Sequence, residues 1–267
     1  MNTQTIEQLS ELKLIAMKNE YKRQTELPAM DDLGFDERFS MIVNEQYVDK
    51  FNKKIKTLIK NANLRDTTAC LENINFDENR NLKKRFVANL SDCNWIREGL
   101  NLIITGATGV GKTYLVSAFG KQACIKGFQV KSYRTTRLLI DLSIAKGDGT
   151  YNKKINDLIK PSLLILDDFG IKKMDVSMSQ DFLEVVEERY HSHKSLAISA
   201  QLPVREWPSV FEDFTIADAI MDRIVNNAHR FELKGPSRRV KIDKVDENEN
   251  ENENENVNTD NNELNQE

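Results

Sequence analysis

Two hydrophobic rhythms divide the chain. Up to about residue 65 the apolar positions recur at helical spacing without strand-like alternation. In KFNKKIKTLIKNANLR, residues 50–65, the side chains Phe51, Ile55, Leu58, Ile59 and Ala62 fall on one stripe of a helix. From residue 100 short apolar runs alternate with longer helical patterns. LIIT (102–105), FQVKSY (128–133), LLILDD (163–168) and LAISAQ (196–201) read as strands, and residues 111–126, 136–146 and 179–190 read as helices. That alternation predicts an α/β fold, a parallel sheet with helices on both faces, preceded by a small all-helical domain. Gly127 stands where a helix C-cap belongs, and Pro161 closes the helix before the third strand. Residues 65–95 are irregular and include NINFDENRNLKKRF, a connector with a short basic helix. The expected organisation is a helical domain over residues 1–68, an α/β domain over 69–244, and a tail over 245–267.

The tail, VDENENENENENVNTDNNELNQE, changes the meaning of the charge. It holds nine acidic residues and no basic ones, so a chain of net charge −4 is net +5 without it. With almost no apolar content such a segment cannot offset its ordering entropy, and it is expected to be disordered. It serves either as a solvating tail or as a competitor for basic surfaces. Hydrophobic residues are 39% of the chain and charged residues 30%, with no apolar run of the roughly 20 residues a bilayer span needs and no basic-then-apolar start. A cytoplasmic protein without a membrane partner is expected. Cys70, Cys93 and Cys124 show no C-x-x-C spacing and no accompanying histidine pair, which reads as thiols outside any metal site. His191 and His193 end a helix and read as surface residues.

The helix over residues 50–65 carries Lys50, Lys53, Lys54, Lys56 and Lys60 away from its apolar stripe, with no acid among them. Such a face is either solvated cover for a core helix or a surface that tracks phosphates, each lysine releasing a condensed counterion from DNA. No zinc-finger, homeodomain or basic-zipper pattern is present, so contact with double-stranded DNA would be largely sequence-independent.

The clearest chemistry lies between the first strand and its helix. Gly106, Ala107, Thr108, Gly109, Val110, Gly111, Lys112 and Thr113 match G-x-x-x-x-G-K-[ST], and with the following Tyr114 they are the expected nucleotide-binding residues. Glycines let successive backbone N–H groups face phosphates, and the next helix presents its positive end to the same charge. Lys112 would reach the β- and γ-phosphates of ATP, and the Thr113 hydroxyl would ligate Mg²⁺. A second metal ligand belongs at the end of a buried strand, where LLILDD places Asp167. Asp168, one residue on, points differently and is placed to polarise an attacking water. Gln201, at the end of LAISAQ, is a candidate to orient that water. Arg223, in DAIMDRIVNNAHR, is a candidate to stabilise the charge that builds in phosphoryl transfer.

CNWIREGLNLIITGATGVGKTYL, LLILDDFG, SAQLPVREW, FTIADAIMDRIVNNAHRFELKG and ACLENINF, each at its place along the chain, resemble the IstB-like helper ATPases of bacterial insertion sequences, AAA+ proteins related to DnaC-type helicase loaders. The resemblance spans about residues 5–240. It implies an AAA+ P-loop ATPase that binds ATP and Mg²⁺, assembles as a homo-oligomer on DNA, and recruits a cognate transposase. It implies hydrolysis by Lys112, Thr113, Asp167 and Asp168, γ-phosphate sensing by Gln201, and action in trans by Arg223. DDLGFDERFSMIVNEQYVDK, residues 31–50, resembles the family's N-terminal signature, with Tyr47 where a Trp often stands. The helical domain is thereby implied in DNA binding and self-association. Pro236 stands in KGPSRR where the family usually has an acid, which puts a sensor role for Arg239 in question. A replicative helicase loader is the nearest alternative. A P-loop kinase would need a lid and acceptor pocket, for which no segment is evident, and Asp168 and Arg223 weigh against a non-hydrolysing adaptor.

Overall fold

The computed structural model describes residues 3–30, 32–76 and 80–238. The acidic tail and Arg239 lie outside the described residues.

The chain opens with helices α1 (Thr3–Glu11) and α2 (Ile15–Glu26), a 3-10 turn (Pro28–Met30), and the long α3 (Phe35–Ala62). Asp36 and Glu37 sit in the first turn of α3, where their charge favours the helix N-terminus, and the Glu37 carboxylate accepts the Gly34 N–H at 3.0 Å. α3 ends three residues earlier than the pattern predicts, because Asn63 takes the left-handed conformation, φ 53°. Its apolar stripe changes partner along its length. Ala62 is fully buried and Leu58 and Ile59 pack into the core, whereas Phe51 is exposed. Short helices α4 (Lys84–Leu90) and α5 (Asn94–Arg97) follow in the connector.

Five strands then alternate with helices: β1 (Asn101–Gly106), α6 (Lys112–Ile125), β2 (Val130–Arg134), α7 (Thr135–Gly147), α8 (Tyr151–Ile159), β3 (Leu163–Phe169), α9 (Val176–His191), β4 (Ser195–Ala200), α10 (Phe214–Val225) and β5 (Ala228–Leu233). All pairings are parallel in the order β2-β3-β4-β1-β5. Parallel strands need cover on both faces, and the side-chain alternation supplies it. Leu102 and Ile104 of β1, with Leu163 and Ile165 of β3, join α6, the end of α3 and the connector helices. Ile103, Leu164 and Leu166 join α7, α8, α9 and α10 on the other face.

Several boundaries differ from the sequence reading. β2 begins at Val130 and not at Phe128, because the amides of Gly127 and Phe128 bond back to Cys124 and Ala123 at 3.0 Å each; with Gly127 at φ +89° this closes α6 as a Schellman turn. α9 starts at Val176 because Asp175 caps it, accepting the Met178 N–H at 2.8 Å. α8 and β5 stand outside the predicted elements. β5 is a sheet edge with only Phe231 and Leu233 buried, so its sequence lacks the apolar run of a central strand. Cys93 and Cys124 are buried, and burial pushes their thiols up to about 11 and about 12, leaving them unreactive; Cys70 is a free thiol at intermediate depth.

Candidate nucleotide-binding site

β1 is an interior strand, and the chain leaves it through α6 to reach β2 beyond β4 and β3, so the carboxyl ends of β1, β4 and β3 form the crevice where open α/β sheets collect ligands. The turn from Gly106 to Gly111 crosses that crevice. Gly106, Gly109 and Gly111 have φ of +145°, +85° and +98°, and a Cβ on Gly106 would collide with the Leu233 carbonyl, one on Gly109 with the Ser237 hydroxyl. Only glycine keeps this loop flat enough for backbone amides to approach a phosphate. Lys112 Nζ donates to the Ala107 carbonyl at 2.8 Å, closing the loop on itself. The hydroxyl of Tyr114, expected at the nucleotide, meets the Cys70 backbone N–H and carbonyl at 3.3 Å each, tying α6 to the connector.

Asp167 is 1% exposed and meets the Thr113 hydroxyl at 3.1 Å. Ser199 Oγ, from the adjacent strand, donates to Asp167 Oδ1 and accepts the Asp168 N–H at 3.2 Å. The Thr135 hydroxyl donates to the Asp167 carbonyl at 3.0 Å. Register explains why two acids meet one serine. Leu166 pairs with Ile198 and Phe169 with Ala200, so two residues of β3 oppose one of β4 in a bulge, and Asp168 adopts φ +60°. The divergence expected for neighbouring strand residues is therefore partial. Both carboxylates turn to a single nitrogen, Nη1 of Arg65, at 2.7 Å from Asp167 and 2.5 Å from Asp168. Arg134 Nε adds a contact of 3.1 Å to Asp168. Asp168 and Asp167 hold the Arg65 guanidinium above its ordinary ionisation range.

Gln201 lies against the P-loop, its carbonyl oxygen accepting the Thr108 hydroxyl at 3.0 Å. Arg80, outside every sequence motif, is buried and donates through Nη2 to the Val110 carbonyl at 3.0 Å, bracing the P-loop from the connector. Arg223 stands apart from these groups. Its guanidinium pairs with Glu187 of α9 at 2.7 Å, and its own carbonyl is contacted at 3.3 Å by Asn101 at the start of β1. β1 runs six residues from Asn101 to the P-loop, about 17 Å at ~3.3 Å per residue.

The donor set fits a hard cation shared with phosphates. A hydroxyl and a carboxylate supply oxygen ligands, and among the described residues no group of three His, Cys, Asp or Glu could cage a metal alone. Among them, too, no helix is long and apolar enough to cross a membrane.

Comparison with known proteins agrees with this architecture. Residues 7–245 match the model of the family described as IstB-like ATP binding protein. The chain belongs to that family. It is 38% identical over 203 residues to an insertion-sequence ATP-binding protein of Pseudomonas fluorescens, covering 76% of this chain and 87% of the relative. It is 33% identical over 235 residues to one of Sinorhizobium fredii, covering 88% and 95%. Among solved structures, DnaI aligns with a TM-score of 0.53 at 20% identity over 67% of this chain and 94% of that one. The DnaC helicase loader aligns at 0.50 and 22%, over 66% and 98%. These likenesses place this IstB-like chain in the AAA+ P-loop fold.

Proposed function

We propose that this IstB-like protein is an ATPase that assembles on double-stranded DNA, recruits and stimulates a transposase, and completes each hydrolytic site with an arginine from a second subunit. One observation carries the reading. The P-loop, Thr113, Asp167, Asp168 and Gln201 converge at the carboxyl edge of the sheet, while the Arg223 carbonyl lies against Asn101 at the start of β1 and its guanidinium is engaged by Glu187 and the Ala219 carbonyl instead of by that group. Backbone amides and Lys112 bind the triphosphate, and Thr113 with Asp167 would hold Mg²⁺, which supplies charge neutralisation at the phosphates. Asp168 accepts the proton of the attacking water, and Gln201 keeps that water aligned. Asp167 is oriented from behind by Ser199 and Thr135.

ATPase rate measured against protein concentration, with and without duplex DNA, tests this directly. A specific rate that climbs with both supports a shared site; a rate independent of concentration rejects it. The transposition context comes from the insertion-sequence relatives, which match most of the chain at 33–38% identity. The helicase-loader alternative has fold-level likeness alone, at 20–22% identity. A transposase gene beside this one, and physical capture of its product, separates the two.

We assign DNA contact to the lysines of α3. Lys50, Lys53, Lys54, Lys56 and Lys60 are all exposed, although Lys53 is paired with Asp49 at 2.7 Å, an acid just before the run. Changing Lys54, Lys56 and Lys60 to Gln is expected to weaken duplex binding about equally for all sequences. It should also reduce the slope of log affinity against log salt by about 2–3, roughly one unit for each phosphate left without its lysine. Changing Lys53 alone should do less, since Asp49 already neutralises it. Fluorescence anisotropy across a salt series reads both.

A further inference from the structure

Arg65, the last residue of the basic stretch 50–65, belongs to none of the nucleotide-site motifs, yet its guanidinium nitrogen lies between the two acids at the heart of the site. Its backbone is anchored on both sides. Leu64 is buried under α6, where its methyl group approaches the space beside Gly120, and the Asp66 carboxylate accepts the Thr68 hydroxyl at 2.7 Å and the Thr68 and Ala69 amides at 3.0 and 3.1 Å. The Asp66 amide in turn reaches Ser117 Oγ of α6 at 3.4 Å. The side chain, by contrast, is 44% exposed. A long arm on a fixed base can thus swing to solvent without disturbing the core.

The oxygens Arg65 holds are those a cation would need. Asp167 Oδ1 is engaged by Ser199, Oδ2 by Arg65, and the Thr113 hydroxyl faces both. With Asp167 almost wholly buried, a cation bound between Thr113 and that carboxylate shares the carboxylate with the guanidinium, and two positive charges at one carboxylate repel. We propose that Arg65 is a built-in competitor for the metal position: it pairs with Asp167 and Asp168, gives way as Mg²⁺ arrives with nucleotide, and so sets the Mg²⁺ concentration at which ATP is bound tightly. This rests on the reading of Thr113 and Asp167 as the Mg²⁺ holders.

The experiment is a binding titration with full-length protein. A fluorescent ATP analogue is held at fixed concentration while free Mg²⁺ is raised from a chelated baseline, for wild type, Arg65→Gln and Arg65→Lys. Removing one charge-assisted, half-exposed interaction predicts a fall in half-saturating Mg²⁺ of about three- to tenfold for Arg65→Gln. Arg65→Lys should fall between Gln and wild type, and it provides the comparison if the Gln variant folds poorly by thermal melt. At saturating Mg²⁺ all three should bind the analogue alike. An unchanged or higher Mg²⁺ requirement in the variants overturns the competitor role. Weaker binding at saturating Mg²⁺ overturns it too, making Arg65 a phosphate ligand instead. A wild-type protein that binds the analogue with no dependence on Mg²⁺ overturns the metal reading, and the proposal with it.

Discussion

Lys112→Ala should abolish nucleotide binding and nucleotide-dependent assembly, whereas Arg223→Ala should bind ATP like wild type and lose hydrolysis by about 10³-fold or more. The difference follows from position. Lys112 starts α6 and its ammonium lies 2.8 Å from a P-loop carbonyl, inside the loop that would wrap the phosphates. Without it the β- and γ-phosphates face the carboxylate of Asp167 with one fewer compensating charge. Arg223 is held instead by Glu187 of α9 and the Ala219 carbonyl of its own helix. In the proposed assembly its effect is exerted on a neighbour, and only on the charge that grows as the phosphoryl group transfers. Binding of a fluorescent ATP analogue and phosphate release separate the two variants. Mixing them is the sharper measurement, since a Lys112→Ala subunit still offers its Arg223 to an intact P-loop beside it. Partial recovery of hydrolysis in the mixture is the expected result; equal loss of ATP binding in both variants would count against action in trans.

The parts of this site that spacing encodes were legible, and the parts that folding brings together were not. G-x-x-x-x-G-K-T between an apolar run and a helical pattern is local, as is an acid pair ending LLIL, because each depends on one strand and the turn that leaves it. Ser199, Arg65, Arg80 and Arg134 act only through neighbours distant in sequence. Ser199 reaches Asp167 because β3 and β4 pair side by side and a bulge sets two residues against one. A lone serine near the end of LAISAQ was the signal, and it could be read only after the strand order was known. Arg65 reaches the acids because Ala62 and Leu64 sink into the core and fix the end of α3 beneath α6. β5 was missed for the related reason that AHRFEL is half-exposed at an edge and alternates too weakly to stand out from a helix. Periodicity reports what an element buries, and an edge strand buries little.

The same limit hid Arg189, whose replacement should have the largest effect on stability. EVVEERYH lies in the stretch that reads as a helix, with nothing in its spacing to mark Arg189, yet Arg189 is fully buried. Its Nη1 donates to the carbonyls of Leu158 at 2.6 Å and Pro161 at 3.1 Å, and Nη2 to Ser195 at 2.5 Å. One guanidinium thereby satisfies the open carbonyl end of α8, the turn into β3 and the start of β4, and its charge complements the negative end of the helix. Burial pushes its ionisation down from the ordinary guanidinium range, to about 9. Arg189→Met keeps much of the volume but strands those carbonyls without donors, at an expected loss of about 3–5 kcal/mol in urea unfolding. Arg189→Lys restores the charge without the planar fork and should lose about half as much. Because these contacts lie at the amino end of β3 and β4, the fraction that folds should bind ATP with unchanged affinity. A Met variant as stable as wild type would mean that water replaces the guanidinium at those carbonyls, and a stable variant with weakened ATP binding would tie this end of the sheet to the nucleotide edge.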